Sequence, residues 1–388
     1  MALVTGARGT DATRGVGSDQ LKIDMADAIY RLEPNNTPLV LLASELNRMQ
    51  ATQPVYKHLE DAREERYSRV NNGGGYTSAQ TSIVVDDGTA YQAGDMVRVY
   101  DSGEIMRVTA VSTNTLTVTR SWGATAATAL TDNDYLYRLG DTNAENADVR
   151  DPKSTTPTTV TGYTEIFRDS FGVSDTADNV EYYGETELTR QQVNKGLEHA
   201  DRIERQFFFG EAVENTSGNY PIRSTGGLNS LITSNVETQA ALTETEFDTF
   251  LRTAAFLEGS DEKWLFCSGI LTQALMTWAK SKVEMSVEET TYGIDVLRYI
   301  SPFGALNVRT HRGLEKMGFD GTIIGGIGFV VDPGKIGYKH IANRDTQLLT
   351  NRQGRGVDGV VDEYLTECGL WLANESCHAI LNGITSFS

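Results

Sequence analysis

The sequence is poor in cysteine and proline. It contains 3 cysteines and 8 prolines in 388 residues, against 37 glycines. Three cysteines are too few, and odd in number, for a disulfide framework, so we expect Cys267, Cys368 and Cys377 to be buried thiols. Abundant glycine without a repeat excludes collagen and proline-rich linkers and predicts many turns.

Long apolar runs are also missing. The longest, over 322–331 and 39–43, fall well short of the roughly 20 residues that a membrane-spanning helix needs. The first 24 residues mix glycine, aspartate and arginine without an apolar centre, so they do not predict a secretory signal. We therefore expect no membrane span and a chain that folds in a cytoplasm.

Cationic residues are scarce relative to carboxylates. The chain carries 34 lysines and arginines against 53 aspartates and glutamates, so its formal net charge is -19. Binding to phosphate backbones depends on cationic side chains that displace counterions. The composition therefore disfavours a protein that grips nucleic acid.

The residues that are present predict a globular protein of two or three domains. A hydrophobic fraction of 39% supplies enough apolar surface for a core. The segment 1–24 is the exception, because its glycines and lack of apolar periodicity predict an arm that becomes ordered only against something else. A short helical pattern over 24–32 then ends before Pro34, and a second apolar stretch covers 39–46.

The section from 82 to 139 changes character and predicts an all-β insert. Short β-rich runs are separated by turn signals such as Asp86-Asp87-Gly88 and Asp101-Ser102-Gly103, at the spacing of a small antiparallel barrel or sandwich. The flanks are polar or glycine-rich, as expected of connections that leave a larger element and return to it. The runs cover 83–85, 96–100, 105–111, 116–119 and 135–139.

The strongest helical pattern covers 179–209. Its apolar residues advance mainly by threes and fours, while i,i+4 ion pairs such as Glu198 with Arg202 lie on another face. A helix of this length extends roughly 40 Å, which is typical of a structural spine. Gly184 and Gly196 weaken it and indicate a break or a close neighbour.

The rest of the chain predicts a mixed α/β lobe and a closing C-terminal segment. Thr243 and Glu246 have the spacing of a capping box that opens a helix running towards Leu257. A further helix is predicted over 270–283, and strands are predicted over 263–266, 299–311 and 322–331. Partial alternation in the tail, 360–384, predicts a long strand pair.

Motifs with recognisable chemistry are not found. Residues 354–359 match G-x-G-x-x-G literally, but a polar segment precedes them and a strand-like run follows, so a flexible loop is a better interpretation than a dinucleotide site. Asp132-Asn133-Asp134 lacks the glycine and the distal glutamate of a calcium loop, so a turn is favoured.

Candidate catalytic and metal-binding groups are scattered. The 5 histidines and 3 cysteines show no ligand spacing, and nothing in the sequence links Ser268, His311 and Asp295 beyond coincidence. Carboxylate pairs cannot be argued without geometry. We therefore predict no catalytic, cofactor-binding or metal-binding residues, no cofactor and no enzymatic activity.

Six short segments, taken in order, carry a family resemblance. In the first, 29–39, a helix ends at a proline and a Thr-Pro pair starts the next apolar stretch; the others are 56–61, 299–308, 329–333, 362–367 and 374–379. Together they resemble major capsid proteins of tailed bacteriophages, with the capsid fold of the Hong Kong phage type. The resemblance covers most of the chain outside the β insert.

This resemblance implies an α+β fold with four parts. The N-terminal arm would be 1–50, and the extended loop would be 51–179, carrying a β-barrel-like insertion domain over 80–140. The peripheral domain, with the spine helix, would be 180–221 together with 335–388. The axial domain would be 222–334.

The resemblance also implies a function. The chain would self-assemble into hexamers and pentamers of an icosahedral head that encloses double-stranded DNA. Its partners would be copies of itself, a portal, and decoration or scaffolding proteins, with packaged DNA nearby but not specifically bound. It would be located in the virion capsid after assembly in the host bacterial cytoplasm.

A different class of function is the alternative. A phage-associated carbohydrate-binding or hydrolytic protein could use the β insert to recognise a ligand. A deep carboxylate-lined cleft in a monomer would favour that alternative, whereas large regular particles would favour a shell. The insert itself could be a surface knob, a contact between subunits or a platform for a decoration protein, and the sequence does not choose among these roles. Lysines such as Lys57 lie in the extended loop, but no motif marks a cross-linking pair.

Overall fold

The chain forms two compact units. The main unit comprises Met1–His58 and Val160–Ser388, and the inserted unit is Leu59–Thr159. The computed structural model describes residues 37–61, 66–146, 148–181, 186–282, 286–287, 297–316 and 326–388. The arm predicted over 1–24 and the short helix predicted over 24–32 lie outside these residues.

Helices and strands alternate along the main unit, and strands make up the inserted unit. The helices of the described residues are α1 Pro38–Leu46, α2 Asp175–Asp178, α3 Glu187–Phe209, α4 Leu228–Leu231, α5 Glu244–Phe250, α6 Gly269–Lys282 and α7 Arg312–Lys316. The first strands are β1 Arg48–Ala51, β2 Val55–Glu60, β3 Tyr67–Arg69, β4 Ser82–Val84, β5 Asp95–Val99, β6 Ile105–Ser112, β7 Thr115–Thr119, β8 Tyr135–Asp141, β9 Thr158–Tyr163 and β10 Glu165–Val173. They are followed by β11 Val213–Asn215, β12 Ile222–Ser224, β13 Val236–Thr238, β14 Ala241–Leu242, β15 Glu262–Cys267, β16 Ser286–Val287 and β17 Leu297–Ser301. The last are β18 Gly304–Thr310, β19 Gly326–Val331, β20 Ile336–Ile341, β21 Gln347–Leu349, β22 Val360–Leu372, β23 Ala379–Ile384 and β24 Ser386–Phe387.

The first sheet of the main unit supports the predicted spine helix. Its order is β1-β20-β22-β10, with β21 also paired to β22, and β1 is parallel to β20. Helix α3 packs against β10 and β22. The predicted start of this helix at Asn179 is wrong, because Asn179 closes α2 instead: its side-chain Nδ2 donates to the Asp175 carbonyl at 2.7 Å. Gly196 has the predicted close neighbour, since a Cβ there would lie 3.4 Å from the Tyr364 hydroxyl.

The second sheet of the main unit is buried on both faces. Its order is β13-β23-β19-β15-β18-β17-β16. Successive side chains point to opposite faces of a strand, so Trp264 and Phe266 of β15 enter one core with the α3 residues Phe207 and Phe208. The intervening Leu265 enters a second core, formed with residues of α5 and α6. This sheet therefore separates two hydrophobic cores.

Local signals in this lobe that fall on described residues are confirmed with one exception, whereas residues 283 and 322–325 of the predicted helix and strand lie outside them. Thr243 and Glu246 form the predicted capping box, and α5 continues as a π-helical turn over Leu251–Ala255. The single strand predicted over 299–311 is wrong. It is the hairpin β17–β18, whose turn is held because Ser301 Oγ accepts from the N–H groups of Phe303 and Gly304.

The predicted C-terminal strand pair is also wrong. β22 lies in the first sheet and β23 lies in the second, between β13 and β19. Asn374 adopts a left-handed conformation with φ 50°, and a 3₁₀ turn follows over Glu375–Cys377. This local change of direction carries the chain from one sheet to the other.

The inserted unit is a small antiparallel barrel of six strands. The five predicted β-rich runs correspond to β4 to β8, and the strand order is β3-β8-β5-β6-β7-β4. An antiparallel bridge between Val70 and Val85 closes the two edges. A buried ion pair supports the core: Arg120 binds both oxygens of Glu104, at 2.8 and 2.7 Å, and the N–H groups of Ser121 and Thr128 donate to the same carboxylate. Burial opposes ionisation of Glu104, but these donors outweigh it and lower its pKa.

Candidate functional site

The motif candidates of the sequence are not brought together into a site. The G-x-G-x-x-G segment lies in the loop between β21 and β22 and is followed by a strand, so the loop interpretation is confirmed. The Asp132-Asn133-Asp134 segment is a turn, in which the Asp134 carboxylate accepts from the Thr131 N–H and hydroxyl at 2.7 and 2.6 Å. Ser268 Oγ accepts from the Ile327 N–H at 3.2 Å, and Asp295 lies outside the described residues.

A carboxylate, an imidazole and a hydroxyl do come together between the spine helix α3 and the first sheet. Asp169 Oδ2 is 2.7 Å from His199 Nδ1, and His199 Nε2 is 2.7 Å from Thr366 Oγ1. The order resembles a hydrolytic triad, but the exposed fractions of these residues are 6%, 2% and 0%. Thr366 also bonds Thr346, and Arg202 binds the other oxygen of Asp169. The cluster therefore cross-links α3, β10 and β22, and it offers no access to a substrate.

A second buried carboxylate holds the start of helix α1. Helix α1 begins at Pro38 and has no acidic residue in its first turn. Glu204 of α3 replaces that missing carboxylate, because its Oε1 accepts from the Leu39 N–H at 2.8 Å and its Oε2 accepts from the Val40 N–H at 2.7 Å. His311 Nε2 lies 3.2 Å from the same Oε1. We call Glu204, Leu39, Val40 and His311 the arm clasp.

The arm clasp joins three distant parts of the chain, and its two polar side chains are buried. Glu204 and His311 are 0% and 1% exposed. A carboxylate is favoured at a helix N-terminus, because unpaired N–H groups and the helix dipole both favour negative charge there. Sequence reasoning did not find this contact, since Glu204 reads as one more polar position on a long helix. The clasp fixes the first turn of α1 against α3 and the residue that follows β18.

A buried ammonium group supports the second sheet. Lys263 is fully buried, and its Nζ donates to the carbonyls of Ala255, Glu258 and Cys377 at 2.6, 2.6 and 2.7 Å. Burial lowers the pKa of Lys263, against the opposing charge of Asp332. The three carbonyls accept all three N–H donors of the ammonium group. Lys263 therefore has a structural role, because it joins the segment that follows α5 to the 3₁₀ turn over Glu375–Cys377.

Tyr56 anchors strand β2 and is the aromatic residue that opens the segment 56–61, one of the six that carry the family resemblance. The Tyr56 hydroxyl donates to the Leu370 carbonyl at 2.5 Å, and Lys339 Nζ lies 4.6 Å from the centre of the Tyr56 ring. Gly162 of β9 passes so close that a Cβ there would lie 2.3 Å from the ring. The paired strands β2 and β9 are therefore fixed by side-chain packing within the main unit.

Three exposed apolar residues lie on the hairpin β11–β12 and the turn that joins its strands. Val213, Tyr220 and Ile222 are 49%, 83% and 72% exposed, whereas Glu214 and Arg223 pair on the other face at 2.8 Å. A two-stranded hairpin is marginal by itself in water, and an exposed apolar face is typical of an interaction surface. This face is a candidate contact with another molecule.

Other classes of site find no support in the described part of the chain. No group of three or more His, Cys, Asp or Glu there could hold a metal ion. None of the helices in the described ranges has the length and apolarity that a membrane crossing requires. Cys267, Cys368 and Cys377 are buried thiols, as predicted. The notable features are therefore structural clasps and exposed contact surfaces.

Comparisons with known proteins agree with this arrangement. A family model described as SU10 major capsid protein matches residues 4–385. The major capsid protein of Pseudomonas phage PaMx41 is 22% identical over 333 residues, which cover 78% of this chain and 78% of that protein.

Two solved capsid structures share the fold. The capsid of the native GTA particle has a TM-score of 0.51 at 10% identity and covers 98% of this chain and 100% of its own. The capsid asymmetric unit of Cyanophage A-1(L) has a TM-score of 0.50 at 9% identity, with 95% and 98% covered. The predicted α+β capsid fold of the Hong Kong phage type is therefore confirmed. Because the family model spans nearly the whole sequence, the chain belongs to the SU10 major capsid protein family and is the major capsid protein that forms the shell of a phage head.

Proposed function

We propose that this chain assembles into hexamers and pentamers of an icosahedral tailed-phage head that encloses double-stranded DNA. The observation that carries the proposal is the family match over residues 4–385, which includes the inserted unit as well as the main unit. A shell subunit must bury far more area against its neighbours than a transient partner does. Exposed apolar surfaces such as the β11–β12 hairpin are consistent with that requirement.

The parts of the chain are proposed to divide this work. Residues 1–50 would be the N-terminal arm, and 51–179 would be the extended loop, with an insertion domain over 80–140. The peripheral domain would be 180–221 and 335–388, and the axial domain would be 222–334. The arm clasp supports this division, because it ties the root of the arm to the spine helix α3 and to the residue that follows β18.

The role is proposed to be structural and without catalysis. The arrangement closest to catalytic geometry, Asp169 with His199 and Thr366, is buried and fully bonded within the chain. The alternative of a carbohydrate-binding or hydrolytic protein is not favoured by the family match. That alternative requires carboxylates that line an open cleft, and the carboxylates of the buried contacts described above are bonded within the chain.

The net charge bears on the proposed contact with DNA. A chain with a net charge of -19 would line the head with a surface that repels phosphate, so packaged DNA would slide instead of adhering. The portal and any scaffolding or decoration proteins would be further partners, and assembly would take place in the host cytoplasm. A strongly basic inner surface in an assembled head would contradict this part of the proposal.

The test is assembly of the purified chain. Full-length protein expressed alone or with its phage neighbours should sediment as large particles, and negative-stain microscopy should show closed shells of regular size. A variant that lacks residues 1–36, the part of the proposed arm that precedes α1, is the comparison and should assemble less well. A full-length chain that stays monomeric at high concentration in both settings would overturn the proposal.

A further inference from the structure

One wall of the barrel in the inserted unit carries tyrosines and arginines instead of the usual mixture of small polar residues. We define the tyrosine–arginine face as Tyr67, Arg69, Arg98, Tyr100, Tyr135 and Tyr137. Tyr67 and Arg98 both lie opposite Tyr137 in the strand ladders, and Arg69 lies opposite Tyr135. Directly opposed residues project to the same side of a sheet, so these side chains share one surface.

The face is held in place before any partner arrives. The ring of Tyr137 lies 5.7 Å from that of Tyr67 and 5.9 Å from that of Tyr100, measured between centroids. The Arg69 guanidinium lies 4.7 Å from the centre of the Tyr135 ring, and it donates to the Tyr135 hydroxyl at 2.7 Å. Side chains that are already ordered lose little conformational entropy on binding. The face is therefore pre-organised for contact.

The same residues remain open to solvent. Tyr100, Tyr67 and Tyr137 are 63%, 44% and 36% exposed. Tyrosine and arginine are, with tryptophan, the residue types enriched among those that dominate binding energy at protein interfaces. A contiguous cluster of them marks an interaction surface rather than a part of the barrel core.

Charge indicates what covers the face. Within the described residues, Arg98 has no carboxylate within ion-pair distance, and Arg69 pairs with a tyrosine instead of an acid. The chain as a whole carries 53 carboxylates against 34 cations, so the surface of any neighbouring copy is rich in carboxylates. We propose that the tyrosine–arginine face docks on a carboxylate-bearing surface of a second copy of this chain in the assembled shell. The inference rests on the proposed function, since copies meet at fixed positions only if the chain assembles.

The size of the face sets how the contact acts. Exposed rings of this number offer on the order of a few hundred Å², which is below the roughly 800 Å² per partner of a stable complex. Two soluble copies would therefore not pair through this face alone. In a shell, where other contacts already hold the copies together, the contact forms at high effective concentration.

Nitration of tyrosine with tetranitromethane, followed by mass spectrometry, tests the proposal on the full chain. Tyr67, Tyr100 and Tyr137 should react in dissociated subunits and lose that reaction in assembled shells. Tyr91, which is 3% exposed in the same barrel, is the control and should be protected in both states. Equal nitration of the face in subunits and shells would overturn the proposal. Protection only in complete virions would also overturn it, because a different protein would then cover the face.

Charge reversal separates the docking contact from assembly itself. Arg98→Glu should lower the denaturant concentration at which shells dissociate, and it should abolish the weakening of shells by high salt. Thr117→Glu, at an exposed position of β7, is the matched control and should leave both unchanged. Equal behaviour of the two variants would refute the proposed contact. If neither variant nor the unaltered chain forms shells, sedimentation shows that the proposed function itself has failed, and the docking proposal with it.

Discussion

The arm clasp predicts that Glu204→Gln loosens helix α1 selectively. In glutamine one carboxylate oxygen becomes an NH₂ group, which cannot accept the N–H of Leu39 or Val40. One α1 amide therefore loses its partner and faces another donor beside a side chain that is 0% exposed. The loss of a hydrogen bond to a charged acceptor, with a buried donor left unsatisfied, costs about 2–3 kcal/mol. The free energy of unfolding of the main unit should fall by that amount.

Amide hydrogen exchange is the direct assay for this effect. A free-energy loss of this size corresponds to exchange that is about 30- to 150-fold faster at the Leu39 and Val40 amides. Glu198→Gln is the matched control, because Glu198 lies on the same helix but its side chain is 55% exposed and pairs with Lys195. That control should change stability by no more than about 0.5 kcal/mol. If exchange at Leu39 and Val40 stays as slow in Glu204→Gln as in the control, the clasp does not hold α1.

Three further predictions concern other buried groups. Burial lowers the pKa of His378 to about 4, below its unfolded value, so the unfolded chain takes up a proton first as the pH falls. The free energy of unfolding should therefore fall by about 1.4 kcal/mol per pH unit from pH 6.5 down towards 4. Denaturant titrations of His378→Gln should show a weaker dependence of the free energy of unfolding on pH in this window, and an unchanged dependence would contradict the assignment. Glu104→Ala leaves Arg120 buried without its counter-charge and should destabilise the inserted unit by about 3–5 kcal/mol. Glu145→Ala, on an exposed loop, is the control and should leave the stability of this unit unchanged. Similar melting temperatures for the two variants would argue against a stabilising ion pair. Gly162→Ala places a methyl group 2.3 Å from the Tyr56 ring, which should destabilise the fold by about 1–3 kcal/mol and lower the melting temperature. In the double variant, Tyr56→Leu should recover part of that stability. If the stability losses of the two single variants simply add in the double variant, the clash is refuted.

Local signals allowed much of this fold to be predicted. The runs that became β4 to β8 are short, alternate in polarity and are bounded by turn residues, so each strand is specified within a few positions. Thr243 and Glu246 are three residues apart, and the side chain of each accepts a hydrogen bond from the backbone N–H of the other. The start of α5 is therefore also specified by neighbouring residues. The family resemblance also depended on short ordered segments, and the family match confirms it.

Contacts between distant residues could not be predicted in the same way. Glu204 meets Leu39 across 165 positions, and His199 meets Thr366 across 167. Nothing in the neighbouring sequence distinguishes Glu204 from the exposed carboxylates of the same helix. The C-terminal strand pair failed for a related reason, because the left-handed conformation of Asn374 sends the two strands to separate sheets. Alternating polarity specifies a strand but does not specify its neighbours.

The position of the last strands has a consequence for the timing of synthesis. β22 pairs with β10, β20 and β21, and β23 lies between β13 and β19, so each sheet keeps an interior place for a strand that is translated late. The first sheet is incomplete until β22 has left the ribosome, at Leu372, and the second sheet is incomplete until β23 has left it, at Ile384. Chains that stop before these strands would therefore lack a complete main unit and would not be competent to join a growing head. This order of events would give the phage a form of quality control that requires no additional protein.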